Sequence, residues 1–529
     1  MNSLTGTLAL ARLALRLDRV RLTVWVLGLS VMPMGTAANY FKLYPTEADL
    51  RAVSDVLTNP SLVALSGPLT AVSIGALTAW KIGVTEFILI ALMSLLTVVR
   101  HTRTEEETGR LELLRATVIG RHAPLTAALL VTALANVTIA VLIALGLMAT
   151  GLPAAGSVAF GLATGLVGML FAAIAATAAQ LTQSARAATG IAGAVLGGTY
   201  LLRAVGDTGP TWLSWLSPTG WALHLHPYAD EQWWVAALFA GASALFAWAG
   251  YALVNRRDVG AGLLAERPGP VGASPALRSP LALAWRLHRG LLLGWTVALA
   301  LTGAVMGGAA AGIGNMKSPN QQLTDVLTRM GGNNGLTDAF LAAIFGITGM
   351  VAGAYTVQAT LRLRQEESSG RVEMLLATRV GRLRWAASHL AFAVLGTVLL
   401  MAVAGVAGGL AYGAQVGDVG GQVGRLLGAA LVQLPATWVL AGFGVTLIGL
   451  APRHASLTWA ALILSVLLVE FGALFGLNQW IVDLTPFAHV PKLPGAAFTA
   501  APVLWLTVLA AGLGAAGLAG LRRRDMPVT

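Results

Sequence analysis

Apolar runs of membrane-crossing length recur along the whole chain, near residues 22–41, 78–99, 123–149, 154–181, 187–203 and 233–254, and again near 291–314, 338–360, 385–413, 425–450, 456–477 and 501–521. A hydrocarbon core of about 30 Å takes about 20 helical residues to cross, so each run predicts a transmembrane helix. The predicted fold class is all-α: a polytopic membrane protein with twelve transmembrane helices. Ahead of the first run, Leu4 to Arg21 alternates Leu and Ala with arginines, and Arg12, Arg16 and Arg19 fall at i, i+4 and i+7. That spacing puts them on one helical face and predicts an amphipathic helix lying in the interface. No small-residue cleavage site follows these arginines, which predicts an uncleaved first span.

The most polar islands in this apolar background are one stretch that occurs twice. Arg103 to Arg121 reads RTEEETGRLELLRATVIGR, and Arg364 to Arg382 reads RQEESSGRVEMLLATRVGR. Eleven of nineteen positions are identical, among them Glu105/Glu366, Glu106/Glu367, Gly109/Gly370, Arg110/Arg371, Glu112/Glu373 and Arg121/Arg382. Such self-similarity is the mark of an internal repeat. Other landmarks agree: Arg16, Arg19 and Trp25 match Arg286, Arg289 and Trp295 in spacing, and Arg256-Arg257-Asp258 matches Arg523-Arg524-Asp525. The chain therefore reads as two pseudo-symmetric six-helix halves, residues 1–258 and 281–529. They are joined at 259–280 by a segment rich in Pro and Gly that behaves as a linker.

Composition sharpens this. With 56% hydrophobic and 11% charged residues and a mean hydropathy of +0.74, the chain is far from the roughly 25% charged composition of soluble domains. Its net charge of +11 sits between the apolar runs rather than on a soluble domain, so it signals topology and excludes a nucleic-acid partner. Placing both repeated stretches and both termini on the cytosolic face puts 26 of the 34 Lys and Arg residues inside. The predicted protein is a multi-pass component of a bacterial inner (plasma) membrane, surrounded by lipid. The absence of cysteine excludes disulfides and thiolate chemistry.

Each repeated stretch predicts a short charged helix, capped by Thr108 or Ser369 and stopped by Gly120 or Gly381. A solvated loop obeying the positive-inside rule would have reason to keep its arginines but none to keep Glu105, Glu106 and Glu112 twice. Docking in a groove of a soluble partner gives that reason. No G-x-x-x-x-G-K-[ST] phosphate loop is present, since the four lysines, Lys42, Lys81, Lys317 and Lys492, all lack a preceding Gly,. ATP hydrolysis, if used, belongs to a separate chain, and this chain is expected to bind no cofactor of its own.

Inside the apolar runs lie Glu86 and Glu470, where an ionisable group is costly enough to suggest a place on the substrate path or in proton handling. Each could instead be neutral, or paired near an interface, as Glu86 would be with Lys81 close to Trp80. Clustered tryptophans at Trp212, Trp215, Trp221, Trp233, Trp234 and Trp480 suit either interfacial anchors or outer hairpins. His224 and His226, near Asp230 and Glu231, lack a further ligand, and no metal site is expected.

The EE-x-x-GR-x-E-x-L-x-AT-x-x-GR pattern between the second and third spans of each half resembles the coupling-helix loop of ABC-2 type exporter permeases. More narrowly, the chain resembles the fused twelve-span permeases of polyketide antibiotic (tetronasin-type) exporters. The resemblance implies that Glu105, Glu106, Arg110 and Glu112, with Glu366, Glu367, Arg371 and Glu373, contact two copies of an ATPase subunit carrying ATP and Mg. It further implies efflux of a small amphipathic or lipophilic compound such as an antibiotic or drug. Two alternatives remain open: a proton-driven secondary transporter working through Glu86 and Glu470, and an exporter of lipid or polysaccharide.

Overall fold

The computed structural model describes all residues except 1–2, 58–59, 116–117, 259, 265–271, 273, 275–276, 315–334, 472–477 and 525–529. The described chain is helical throughout and divides into two compact units, Met1–Gly269 and Pro270–Thr529. The division falls inside the segment read as a linker.

The first unit opens with α1 (Thr7–Leu17) and α2 (Arg19–Leu43), followed by the short α3 (Glu47–Leu57) and α4 (Pro60–Ser66). Next come α5 (Ile74–Val99), α6 (Glu105–Glu107), α7 (Arg110–Arg115), α8 (Ala123–Ala149) and α9 (Ala154–Leu181). The unit closes with α10 (Ala185–Thr208), α11 (Pro218–His224) and α12 (Val235–Val254). Ser73 and Ser184 cap α5 and α10 by accepting from the amides of Ala76 and Ala187, both at 3.1 Å, which satisfies donors the first helical turn leaves open.

Helix α9 is the packing centre of this unit, buried along most of its length. It lies so close to α8 that a Cβ added at Gly161 would stand 2.4 Å from the Ala140 carbonyl oxygen. Small residues are what let membrane helices approach this far. At the other end of the packing, the break between α1 and α2 is pinned by Asp18, 1% exposed, which pairs with Arg100 at 3.1 Å and with His101 at 2.8 Å. An acidic residue among four arginines thus ties the amphipathic helix to the end of α5.

The second unit runs α13 (Pro280–Gly314), α14 (Gly335–Ser368), α15 (Arg371–Leu376), α16 (Arg382–Val416), α17 (Val419–Leu431), α18 (Leu434–Leu450), α19 (Leu457–Phe471), α20 (Gln479–Val482) and α21 (Ala500–Arg523). The spacing that matches Arg16 and Arg19 with Arg286 and Arg289 pairs Asp18 with His288. There the helix does not break, and His288 Nε2 instead meets His389 Nδ1 at 3.0 Å across α13 and α16.

Eleven described helices are long and apolar enough to cross a membrane, and Leu457–Val469 is a shorter apolar one. Twelve such helices are expected from the apolar runs. The difference lies in the run near 456–477, whose helix ends at Phe471 with residues 472–477 outside the described chain. Nine of the other runs each coincide with one observed helix, and the run near 425–450 is covered by α17 and α18 together. The run near 291–314 is extended to Pro280, because the basic stretch before it continues the same helix.

Candidate functional site

In the first unit the repeated stretch begins where α5 ends. A π-helical turn, Arg100–Thr104, follows α5 and rotates the Arg103 side chain fully into the interior. Turns of this kind are rare and frequently occur at functional sites. In the second unit α14 continues without such a turn, and Arg364 stays 29% exposed. After each glutamate run comes a glycine with positive φ, Gly109 at 72° and Gly370 at 69°. A glycine adopts this left-handed conformation without the penalty a Cβ imposes, which accounts for its presence in both copies.

The short helices form as expected, α7 and α15, but not by the expected capping. Thr108 Oγ1 donates back to the carbonyls of Thr104 and Glu105, and the residue before α15 is Gly370 with no side-chain cap. Nor does Gly381 stop α15, which ends at Leu376. Gly381 has φ −71° and ψ 152° and leads into α16.

The eight candidate residues divide by direction. Glu106 and Glu367 turn inward. Glu106 receives both terminal nitrogens of Arg257, at 2.9 and 2.6 Å, and also pairs with Arg103. Glu367 receives Arg524 Nη2 at 2.7 Å and pairs with Arg364 at 3.2 Å. The other end of each stretch grips the same arginine by its backbone. Arg121 donates to the carbonyl of Arg257 at 2.9 Å, and Arg382 to that of Arg524 at 2.7 Å. Each stretch is thus closed at both ends onto the residue that follows α12 or α21.

Glu105 is half-buried and Glu366 buried, and they face Arg110 and Arg371 at 3.6 Å in the two units. Glu366 also meets Arg362 at 2.9 Å. Outward-facing are Arg110, 66% exposed, and Arg371, 60% exposed, with Glu112, Glu373 and Met374 on exposed positions of the same short helices. Apolar Leu111 and Val372 point the other way and are buried. Each loop therefore presents a charged outer face on an apolar, ion-paired base.

Sequence reasoning missed that Arg257 and Arg524 belong to this site, although the matching Arg-Arg-Asp triplets were the signal. It also missed the fastenings peculiar to the first unit. Glu107, which has Ser368 as its counterpart, accepts from the Ala185 amide at the start of α10 at 2.7 Å. Arg103 donates to the carbonyl of Ala261 at 3.0 Å.

Glu86 is fully buried within α5, and among the described residues neither carboxylate oxygen has a hydrogen-bond partner. Lys81 lies exposed on the same helix and does not reach it. Trp80 is buried rather than set in an aromatic belt, its indole donating to the Gly67 carbonyl at 2.8 Å. The side chain of Glu470 lies outside the described residues. Near α11, Trp215 stacks on His224 with centroids 4.2 Å apart and on Trp234 at 5.5 Å. Burial there lowers the His224 pKa. His226 and Tyr228 take positive φ, and burial pushes the Tyr228 hydroxyl up to about 12.

Among the described residues, long apolar helices with charged loops closed onto the helix ends mark a multi-pass membrane protein. Residues 277–522 match the family described as the multidrug efflux system permease Rv1217c, C-terminal domain. The chain is 49% identical over 528 residues to the multidrug efflux system permease protein Rv1217c of Mycobacterium tuberculosis, with 99% of this chain and 96% of that protein covered. The chain belongs to this permease family.

Proposed function

We propose that the chain is the membrane-spanning subunit of an ATP-driven exporter of the ABC-2 type, moving amphipathic or lipophilic compounds such as drugs or polyketide antibiotics out of the cytosol. Two copies of a separate ATPase, carrying ATP and Mg, dock on α7 and α15. Closure of the ATPases pushes the loops, and the push passes into α5 and α8 in the first half and into α14 and α16 in the second. The observation that carries this reading is the shared geometry of the loops: the same inward pairs at Glu106 and Glu367 hold out the same exposed charges at Arg110 and Glu112, Arg371 and Glu373. The similarity to the Mycobacterium tuberculosis multidrug efflux permease supports multidrug efflux as the activity. A lipid or polysaccharide cargo fits the same machinery.

The proton-driven reading rests on one observation, the buried carboxylate of Glu86 without a partner. It gives no role to the acidic loops. In cells, efflux that stops on deletion of the partner ATPase and persists when the proton gradient is collapsed supports the ATP-driven reading. The reverse pattern overturns it.

Both termini and both loops lie on the cytosolic face in this reading. The chain has no native cysteine, so single cysteines report topology cleanly. Thr108→Cys and Ser369→Cys, both at exposed positions, are expected to resist a membrane-impermeant maleimide in intact cells. Ala48→Cys, exposed on α3, is expected to react. Labelling of Thr108→Cys from outside would invert the topology and remove the loops from any cytosolic partner.

A further inference from the structure

We propose that Arg257 and Arg524 are positioning residues that make the last span of each half, α12 and α21, part of the lever driven by its loop. This rests on the reading above, in which the loops receive the ATPase. Chain continuity alone would carry a push from the first loop to α5 and α8, and from the second to α14 and α16. The last span of each half follows the loop by at least 100 residues and needs a non-covalent link to move with it.

The link is built twice. In the first half Arg257 uses its whole guanidinium fork: Nε donates to Gln180 Oε1 at 2.7 Å, Nη2 to Glu106 Oε1 at 2.6 Å, and Nη1 to Glu106 Oε2 at 2.9 Å and to the Ala261 carbonyl at 3.0 Å. The side chains of Arg257 and Glu106 are 7% and 6% exposed, so water and salt weaken the pair little. A bidentate arginine–carboxylate pair fixes direction as well as distance, which a lever requires and a flexible lysine would not supply. Gripping the Arg257 carbonyl from Arg121 closes the loop from its other end. In the second half Arg524 meets Glu367 and its carbonyl accepts from Arg382, but among the described residues its Nε has no hydrogen-bond partner. The second clamp is the looser of the two.

Purified complexes of the full chain with its ATPase, reconstituted in lipid vesicles, test the proposal through ethidium transport per ATP hydrolysed. Arg257→Gln with Arg524→Gln is expected to retain the ATPase on co-purification and to keep hydrolysing ATP, since neither arginine lies on the exposed face of α7 or α15. Transport per ATP is expected to fall at least tenfold. Arg257→Lys alone is expected to lie in between and to cost more than Arg524→Lys. Exchanging the charges, Glu106→Arg with Arg257→Glu, is expected to restore part of the coupling, which a purely structural role for Arg257 would not predict.

Parental transport per ATP in the double glutamine variant overturns the proposal and leaves loop docking intact. Loss of the ATPase at normal membrane abundance also overturns it, because the arginines would then shape the docking face rather than transmit from it. Failure of the parental chain to bind any ATPase would instead defeat the underlying reading. Should the double variant not accumulate, the lysine variants and the charge exchange decide: transport per ATP at the parental value in Arg257→Lys, with no rescue by the exchange, overturns the proposal.

Discussion

Reversing the outer carboxylates of both loops, Glu112→Arg together with Glu373→Arg, is expected to abolish efflux while the permease still reaches the membrane at its parental level. Both residues are exposed on short helices whose apolar sides face inward. Substitutions at exposed positions outside buried networks usually change stability within about ±0.5 kcal/mol. At a docking interface the same change acts differently, since like charges set face to face cost several kcal/mol, and each 1.4 kcal/mol is about tenfold in affinity. The expected loss of ATPase affinity is therefore on the order of a hundredfold or more.

Single reversals are expected to be milder, because one intact loop still recruits an ATPase. Glu112→Arg is expected to cost more than Glu373→Arg, since the first loop is held more rigidly through Glu107, Arg103 and Arg257 and has less freedom to adjust. ATPase pull-down and dye efflux in both singles and the double decide the matter. A double variant that binds ATPase and exports at the parental rate would show these loops to be solvated turns. Glu106→Arg serves as a contrast: it leaves Arg103 and Arg257 facing a third cation in a buried pocket, and breaking a buried pair in this way costs about 3–5 kcal/mol. Its membrane abundance is expected to fall, which separates inward from outward glutamates by a measurement other than transport.

That separation was not legible in the sequence, where Glu105, Glu106 and Glu112 carry the same weight. Helical periodicity separates apolar from charged positions along the short helices, where Leu111 and Val372 are buried and Val118 is exposed. It could not show that Glu106 turns inward, because the partner that draws it in, Arg257, lies 151 positions away. The spans themselves were legible almost throughout, since long apolar runs leave the backbone no alternative to helix within lipid. Where the reading went astray, a local signal was read without its tertiary partner. Thr108, expected as a cap, bonds back into the preceding turn, and Trp80, expected beside Lys81 near an interface, spends its indole N–H on Gly67. Nothing local singles out Asp18, whose pairs with Arg100 and His101 hold the amphipathic helix to the loop-bearing end of α5.

The chain holds 62 glycines, and small residues let membrane helices approach closely, but a count does not say which glycines do so; here the structure makes a sharp distinction within one helix. Along α13, a Cβ at Gly307 would stand 2.2 Å from the Gly408 carbonyl oxygen on α16, and one at Gly303 would stand 2.3 Å from that of Ala404. At Gly294, on the same helix, nothing lies within 4 Å. Gly307→Leu must therefore push the two backbones apart along their crossing, exposing the packed face of α16, where Ala404 and Met401 are fully buried. Overpacking of a filled core typically costs about 1–3 kcal/mol, and a backbone atom cannot rotate away as a side chain does. Within lipid there is no hydrophobic driving force to restore the contact, because close packing is itself what holds membrane helices together. Gly307→Leu is expected to accumulate poorly and to aggregate on detergent extraction, and Gly303→Leu to behave alike. Gly294→Leu is expected to match the parental chain in yield and in its size-exclusion profile. Equal yields and profiles for Gly307→Leu and Gly294→Leu would mean that α13 and α16 do not approach as closely as described.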